Sequence, residues 1–191
     1  MLLSYVDAEE HWEEVALVLD EETVVNVHRP LSFGIERPLA RSLLRKKEAS
    51  AEEPLVERFV KVFGKDGCVY SGGEANKDVV RAVHGFDGVG VEVGKGIWVS
   101  DASAVLDYCE SNAGTAGFVK FVVGESTFGE NVLRNKCERG EYASLEVPAG
   151  IVLKQCKALP VPLWHECCRL AGGELLEVSK IELVKRGDIT E

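Results

Sequence analysis

Three arginines, Arg37, Arg41 and Arg45, recur at i, i+4 and i+8, which puts their guanidinium groups on one face of a helix. A guanidinium is planar, permanently charged and grips a phosphate with two parallel hydrogen bonds. Residues 29–47 hold six basic residues against a single acid, Glu36, so this stretch carries +5 while the remainder carries −15. Arg37 stands where the helix begins, and the free N–H groups of a helix start favour an anion. A solvated polar face opposite Leu39 and Leu43 is the plainer reading of the same stripe. His28, beside Arg29, is the histidine best placed for acid–base work, with a surface loop histidine as the alternative. Two more segments, Ser71-Gly72-Gly73-Glu74 and Gly124-Glu125-Ser126-Thr127, read as loops leading from a strand into a helix. Ligands of open α/β sheets gather at such loops, although neither segment matches a Walker A or Gly-x-Gly-x-x-Gly pattern.

Metal and nucleophile chemistry find less support. Of the six cysteines, Cys167 and Cys168 are adjacent, and Cys109, Cys137 and Cys167 fall on apolar helical positions. No signal peptide is expected ahead of them, because Asp7, Glu9 and Glu10 interrupt the first apolar residues. Reduced core cysteines in a cytoplasmic protein are therefore expected. Cys156, His165 and Cys168 are the one zinc-like grouping, but no Cys-x-x-Cys occurs and no fourth ligand is evident, so no metal is assigned. Without Gly-x-Ser-x-Gly or a cysteine in an activating loop, no catalytic residue is assigned either.

These residues must be positioned by a domain of 191 residues, long enough for one substantial core. A net charge of −10 excludes nonspecific nucleic-acid binding, and no apolar run is long enough for a membrane helix. Residues 14–20 and 23–28 read as a hairpin, followed by helices at 36–47 and 53–63. A strand at 68–70 and a helix from 74 to His84 follow. Residues 89–93 and 97–100 read as strands turning at Gly94-Lys95-Gly96, and Ala102, Val105, Leu106 and Cys109 form the apolar stripe of a helix. A strand at 118–123 precedes a helix at 128–138. Strand, glycine loop and helix thus alternate three times, which predicts a three-layer α/β/α domain with a mixed sheet. Residues 14–140 form its main body. Residues 141–191 form a C-terminal appendage, with strands at 142–147, 151–155 and 174–185 and a helix from Pro160 to Ala171.

Within the main body, Val24-Val25-Asn26-Val27, then Pro30-Leu31-Ser32-Phe33-Gly34-Ile35-Glu36-Arg37-Pro38-Leu39-Ala40-Arg41, resembles the signature of ThiN-type thiamine-phosphate synthase domains. The similarity extends over residues 14–135 through the order of elements, Trp98 before a helix, and a strand ending in Gly124. It implies a transferase that joins a pyrimidine pyrophosphate to a thiazole phosphate, with Mg²⁺ if the chain is enzymatic. It adds Phe33 and Gly34 to the candidate site. The chain departs from the family where Arg37 is followed by Pro38 rather than histidine, and where Gly129-Glu130-Asn131 lacks the family's lysine and proline. Binding without turnover is the resulting expectation.

The sequence therefore predicts a domain that binds a small phosphorylated molecule through His28, Arg29, Phe33, Gly34, Arg37, Arg41, Ser71, Gly72, Gly73, Gly124 and Ser126. A second copy of the chain, forming a homodimer, is the other partner considered. The alternative function is a protein–protein adaptor that presents its acidic surface.

Overall fold

The computed structural model describes residues 1–6, 12–32, 34, 37–38, 49–64, 68–112, 119–156 and 159–185. Its strands are β1 (Leu2–Val6), β2 (Trp12–Val18), β3 (Thr23–Asn26), β4 (Val69–Ser71), β5 (Ala75–His84), β6 (Val91–Gly94), β7 (Ile97–Asp101), β8 (Val119–Thr127) and β9 (Ala143–Ser144). Its helices are α1 (Ala49–Phe63), α2 (Ala102–Ser111), α3 (Val132–Glu138), α4 (Ala149–Val152), α5 (Leu163–Ala171) and α6 (Gly173–Lys185). The strands join in the order β6-β7-β5-β8-β3-β2-β1-β9, with β4 also on β8. Every pairing is antiparallel except β4 with β8.

This is a curled, sheet-dominated half-barrel, which corrects the expectation of a three-layer α/β/α sandwich with a mixed sheet. The alternation behind that expectation fails at residues 75–84. Val79, Val80 and Val83 are β-branched and suit a pleated surface better than a helix. Val80 and Ala82 pack on the face that carries α1 and α2, while Val83 packs on the other. Gly124–Thr127 is the end of β8 rather than a loop, and the helix expected from 128 begins at Val132. Residues 149–152 are helical where 151–155 was expected to be a strand.

Residues 174–185 were also expected to be a strand, yet they form α6. Its buried positions are polar, Ser179 and Glu182, while Ile181 and Val184 face solvent. Leu175 and Val178 pack at the edge of the inner core beside these two polar residues, so the apolar residues of this helix are split between its two sides. β1 was not expected, and the strand expected over 142–147 is reduced to β9, while other elements follow the sequence more closely. β2 and β3 pair with Ala16 opposite Asn26 and Val18 opposite Val24, and β6 and β7 turn at Lys95-Gly96. Gly64, at φ +76, ends α1. Arg37 and Pro38 are helical, and the rest of the predicted arginine helix lies outside the described residues, with Leu43 in it.

Alternation along the strands sorts the core into two sides. On the inner side Leu3, Val15, Val25, Tyr70, Val83 and Val122 from both halves of the sheet meet Leu163, Trp164 and Cys167 of α5. On the outer side Val69, Val80 and Phe121 meet Phe59 of α1 and Val105 and Leu106 of α2. Farther along that side Leu2, Ala16 and Val24 meet Leu133 of α3. Among the described residues no helix is long and apolar enough to cross a membrane.

Two substitutions test this packing. Leu106 is fully buried, so Leu106→Ala should lower the unfolding free energy by about 2–5 kcal/mol in denaturant titrations. A Cβ at Gly72 would lie 2.2 Å from the Gly124 carbonyl oxygen. Gly72→Ala should therefore abolish the native spectrum of backbone amides, which Leu106→Ala should retain.

Candidate functional site

Several of the predicted ligand residues do come together, but as sheet backbone. β4 lies between β8 and the chain that follows β3. Gly72 donates to the Val123 carbonyl at 2.8 Å and accepts from Asn26 at 2.9 Å, while Ser71 donates to the Arg29 carbonyl at 2.9 Å. Gly73 and Gly124 approach so closely that a Cβ on Gly124 would sit 2.5 Å from the Gly73 oxygen. The glycines thus serve a backbone crossing. The amides of Ser71 and Gly72 are committed to it and cannot cradle a phosphate. Ser126 pairs with Val24 in the sheet.

The side chains nearby are also engaged. His28 accepts the Val15 amide on Nδ1 at 3.3 Å, and its own amide donates to Asn26 Oδ1 at 3.0 Å. Glu125, between Gly124 and Ser126, is buried and accepts Arg81 Nε at 3.0 Å and Nη2 at 2.8 Å. Asn76, in a left-handed conformation at φ +47, donates its side-chain amide to the same carboxylate. Arg37 is solvent-exposed and Gly34 half-buried, whereas Phe33 and Arg41 lie outside the described residues. Cys156, His165 and Cys168 form no metal cluster, since no group of three metal-ligating side chains occurs among the described residues.

The sequence reading missed a buried polar centre on the inner face of the sheet. Lys120 of β8 is fully buried, between Val119 and Phe121 that face the outer core. Its Nζ donates to the Val27 carbonyl at 2.7 Å and to Cys156 Sγ at 3.5 Å, and lies 4.7 Å from the centre of the Tyr70 ring. The Tyr70 hydroxyl donates to Gln155 Oε1 at 3.0 Å and accepts the Cys156 amide at 2.9 Å. Gln155 Nε2 in turn donates to the Val119 carbonyl at 3.1 Å. Burial holds the Lys120 ammonium below its usual range, with Cys156 opposing the shift, and pushes the Cys156 thiol up. A lysine in a strand reads as a solvent-facing residue. The available signal was that Val119, Phe121 and Val122 leave neither face of this strand polar.

His84 is the other buried titratable group of note. It ends β5 rather than a helix, stacked 5.0 Å from Phe86. The Phe86 amide donates to Nδ1 at 3.2 Å, so Nε2 carries the proton and donates to Ser100 Oγ at 3.0 Å. Ser100 Oγ then donates to the Asp101 carbonyl. The Ser–His contact therefore runs in the wrong direction for a base activating a nucleophile.

Among the described residues, a cavity rimmed by several carboxylates lies beside the β2–β3 turn and α3. It encloses about 480 Å³, with Leu2, Val18 and Leu133 as its apolar lining. Around it stand Asp20, Glu21 and Glu22 of the β2–β3 turn and Glu130 before α3, with Arg134 as the cation among its described lining residues. The turn is held by Asp20 Oδ1 accepting the Glu22 amide at 2.9 Å and by the Glu22 carbonyl accepting the Phe128 amide at 2.8 Å. Arg134 Nε lies 3.5 Å from Glu138.

No family model matches this chain, and no curated protein matches it significantly. Its fold is similar to the crystal structure of protein DIP2367 from Corynebacterium diphtheriae, with a TM-score of 0.64 and 13% identity over 93% of this chain and 89% of that one. It is also similar to the solution structure of the AlgH protein from Pseudomonas aeruginosa, with a TM-score of 0.56 and 13% identity over 93% and 90%. These neighbours overturn the resemblance to ThiN-type thiamine-phosphate synthase domains. That resemblance leaned on an order of strands and helices which β5 and the long β8 do not follow.

Burial lowers the pKa of His84 from 6.5 to about 4. Between those values the unfolded chain binds a proton that the folded chain refuses. Stability from this residue is thus full above pH 6.5, falls as pH drops toward 4, and levels off below, a loss of about 3 kcal/mol. Denaturant midpoints across that window should fall more steeply for the wild type than for His84→Gln.

Proposed function

We propose that this domain is a non-catalytic interaction module that receives a basic segment of a partner protein in the acidic cavity. The observation that carries this reading is the cavity itself, four carboxylates around an apolar lining with one guanidinium among its described residues. Its volume is enough for one or two side chains of a partner. An apolar centre with a polar rim is the usual anatomy of a protein interface. The net charge of −10 would steer cationic segments toward the chain from a distance.

A phosphorylated ligand is the weaker reading. The acidic rim repels it, the amides of Ser71 and Gly72 are already bonded, and the nearby Arg81 is paired with Glu125. Six free cysteines favour a reducing compartment such as the cytoplasm.

The test is titration calorimetry with peptides that combine lysine or arginine with leucine or phenylalanine. Binding should occur and weaken with salt. Reversing Glu21, Glu22 and Glu130 together to lysine should reduce affinity by roughly tenfold or more, with little change in folding stability. Affinity unchanged by that triple reversal, or binding of inorganic phosphate and phosphate esters instead of basic peptides, would refute the proposal.

A further inference from the structure

A buried lysine beside a thiol is chemically unusual, and the interaction module described above makes no use of it. Lys120 Nζ lies 3.5 Å from Cys156 Sγ and is held there by the Val27 carbonyl at 2.7 Å. The sulfur contacts the Lys154 carbonyl at 3.3 Å, and Cys156 as a residue is half-buried. A small oxidant would therefore approach this pair from the side of Cys156, not from that of the fully buried Lys120.

We propose that Cys156 and Lys120 form an oxidation-dependent covalent bridge, in which a hydroperoxide oxidises the thiol and the lysine amine then captures the sulfur. In the first step Sγ attacks the distal peroxide oxygen and the O–O bond breaks. The sulfur loses two electrons and becomes a sulfenic acid, and the peroxide is reduced to an alcohol, or to water when it is hydrogen peroxide. In the second step the Nζ lone pair attacks Sγ and the S–O bond breaks. The oxygen leaves as water with one proton from the amine, and an S–N bond remains. This step involves no external oxidant. The fixed position of the amine makes capture intramolecular, which favours it strongly over reaction with a second peroxide.

The environment sets the rate of each step. An amine attacks only when unprotonated, and burial shifts Lys120 in that direction. The thiol is shifted the other way, toward its protonated and less reactive form. Thiolate and free amine are both needed, so both steps accelerate with rising pH. Once formed, the bridge ties β8 to the segment ahead of α5. That segment already docks on the sheet through Tyr70 and Gln155.

The experiment treats the full chain with a small excess of hydrogen peroxide, digests it, and reads the peptides by mass spectrometry. The expected product joins the Lys120 and Cys156 peptides, two hydrogens lighter than their sum, and disappears on treatment with dithiothreitol. A disulfide between Cys156 and Cys68, a second thiol that interacts with it, sulfinic or sulfonic acid at Cys156 without a cross-link, or an unmodified Cys156 would each overturn the proposal. Lys120→Met should convert the product into a sulfenic acid that dimedone traps. Should that variant fail to fold, the wild type answers alone. Dimedone labelling of Cys156 should be several-fold lower when the folded chain is oxidised than when the chain is oxidised in urea, and equal labelling would refute capture.

Discussion

The architecture depends on one close approach of backbone to backbone, where Gly72 and Gly73 cross Gly124 and Glu125. One edge of β8 pairs with β4 at Phe121–Val123 and with β3 at Ser126–Thr127. For both to be served, the chain after β3 must diverge from β8 and β4 must fill the widening gap. Gly72 closes that gap, donating to Val123 on one side and accepting from Asn26 on the other. A side chain on Gly72, Gly73 or Gly124 would overlap carbonyl atoms at 2.2–2.5 Å. The divergence bends the sheet, and the bend brings residues of β1, β2 and β3 to the same core as those of β5 and β7.

Bending the sheet also explains how an amine comes to be buried in an apolar core. Alternation along β8 sends Lys120 inward with Val122, to the side where α5 closes the concavity. Burial of an ammonium is costly unless it is satisfied locally, and the Val27 carbonyl, the Tyr70 ring and the Cys156 sulfur supply that satisfaction. Val27 is available because the chain after β3 has peeled away from β8. The glycine crossing and the lysine site are thus two consequences of the same divergence.

The sequence was legible where one element buries one regular face. The stripe Ala102, Val105, Leu106 and Cys109 is the buried face of α2, and the β2–β3 hairpin announced itself by two β-rich runs around Glu21-Glu22. Legibility failed where burial and polarity separate. Ser179 and Glu182 are inside α6 while Val184 is outside, and β5 is polar at its start because that part runs beside the glycine crossing. The glycines of 71–74 and 124–127 were recognised as special, and the structure gathers them at one place. In the structure they serve a close backbone approach, and a glycine needed for that looks in sequence like one needed for an anion. Lys120 was harder to see, because its type alone does not distinguish a core lysine from a surface one and only the apolar residues on both faces of its strand mark it.

Charge is treated differently at two places near the end of β8, and the difference bears on function. Glu125 is buried and takes two guanidinium hydrogen bonds from Arg81 and one from Asn76, so its charge is fully answered within the fold. Asp20, Glu21, Glu22 and Glu130 stand around a cavity whose guanidinium, that of Arg134, lies 3.5 Å from Glu138. Water and salt screen such a cluster, so it costs the folded chain little. The same carboxylates act more strongly when a partner excludes water from the apolar lining between them, because an attraction to an incoming cation grows as the local dielectric falls. A cavity that is inexpensive when open and strongly attractive when closed over a cation is better suited to transient capture of a basic segment than to stabilising the fold, and Arg81 and Glu125 show that this chain answers a carboxylate internally where folding requires it.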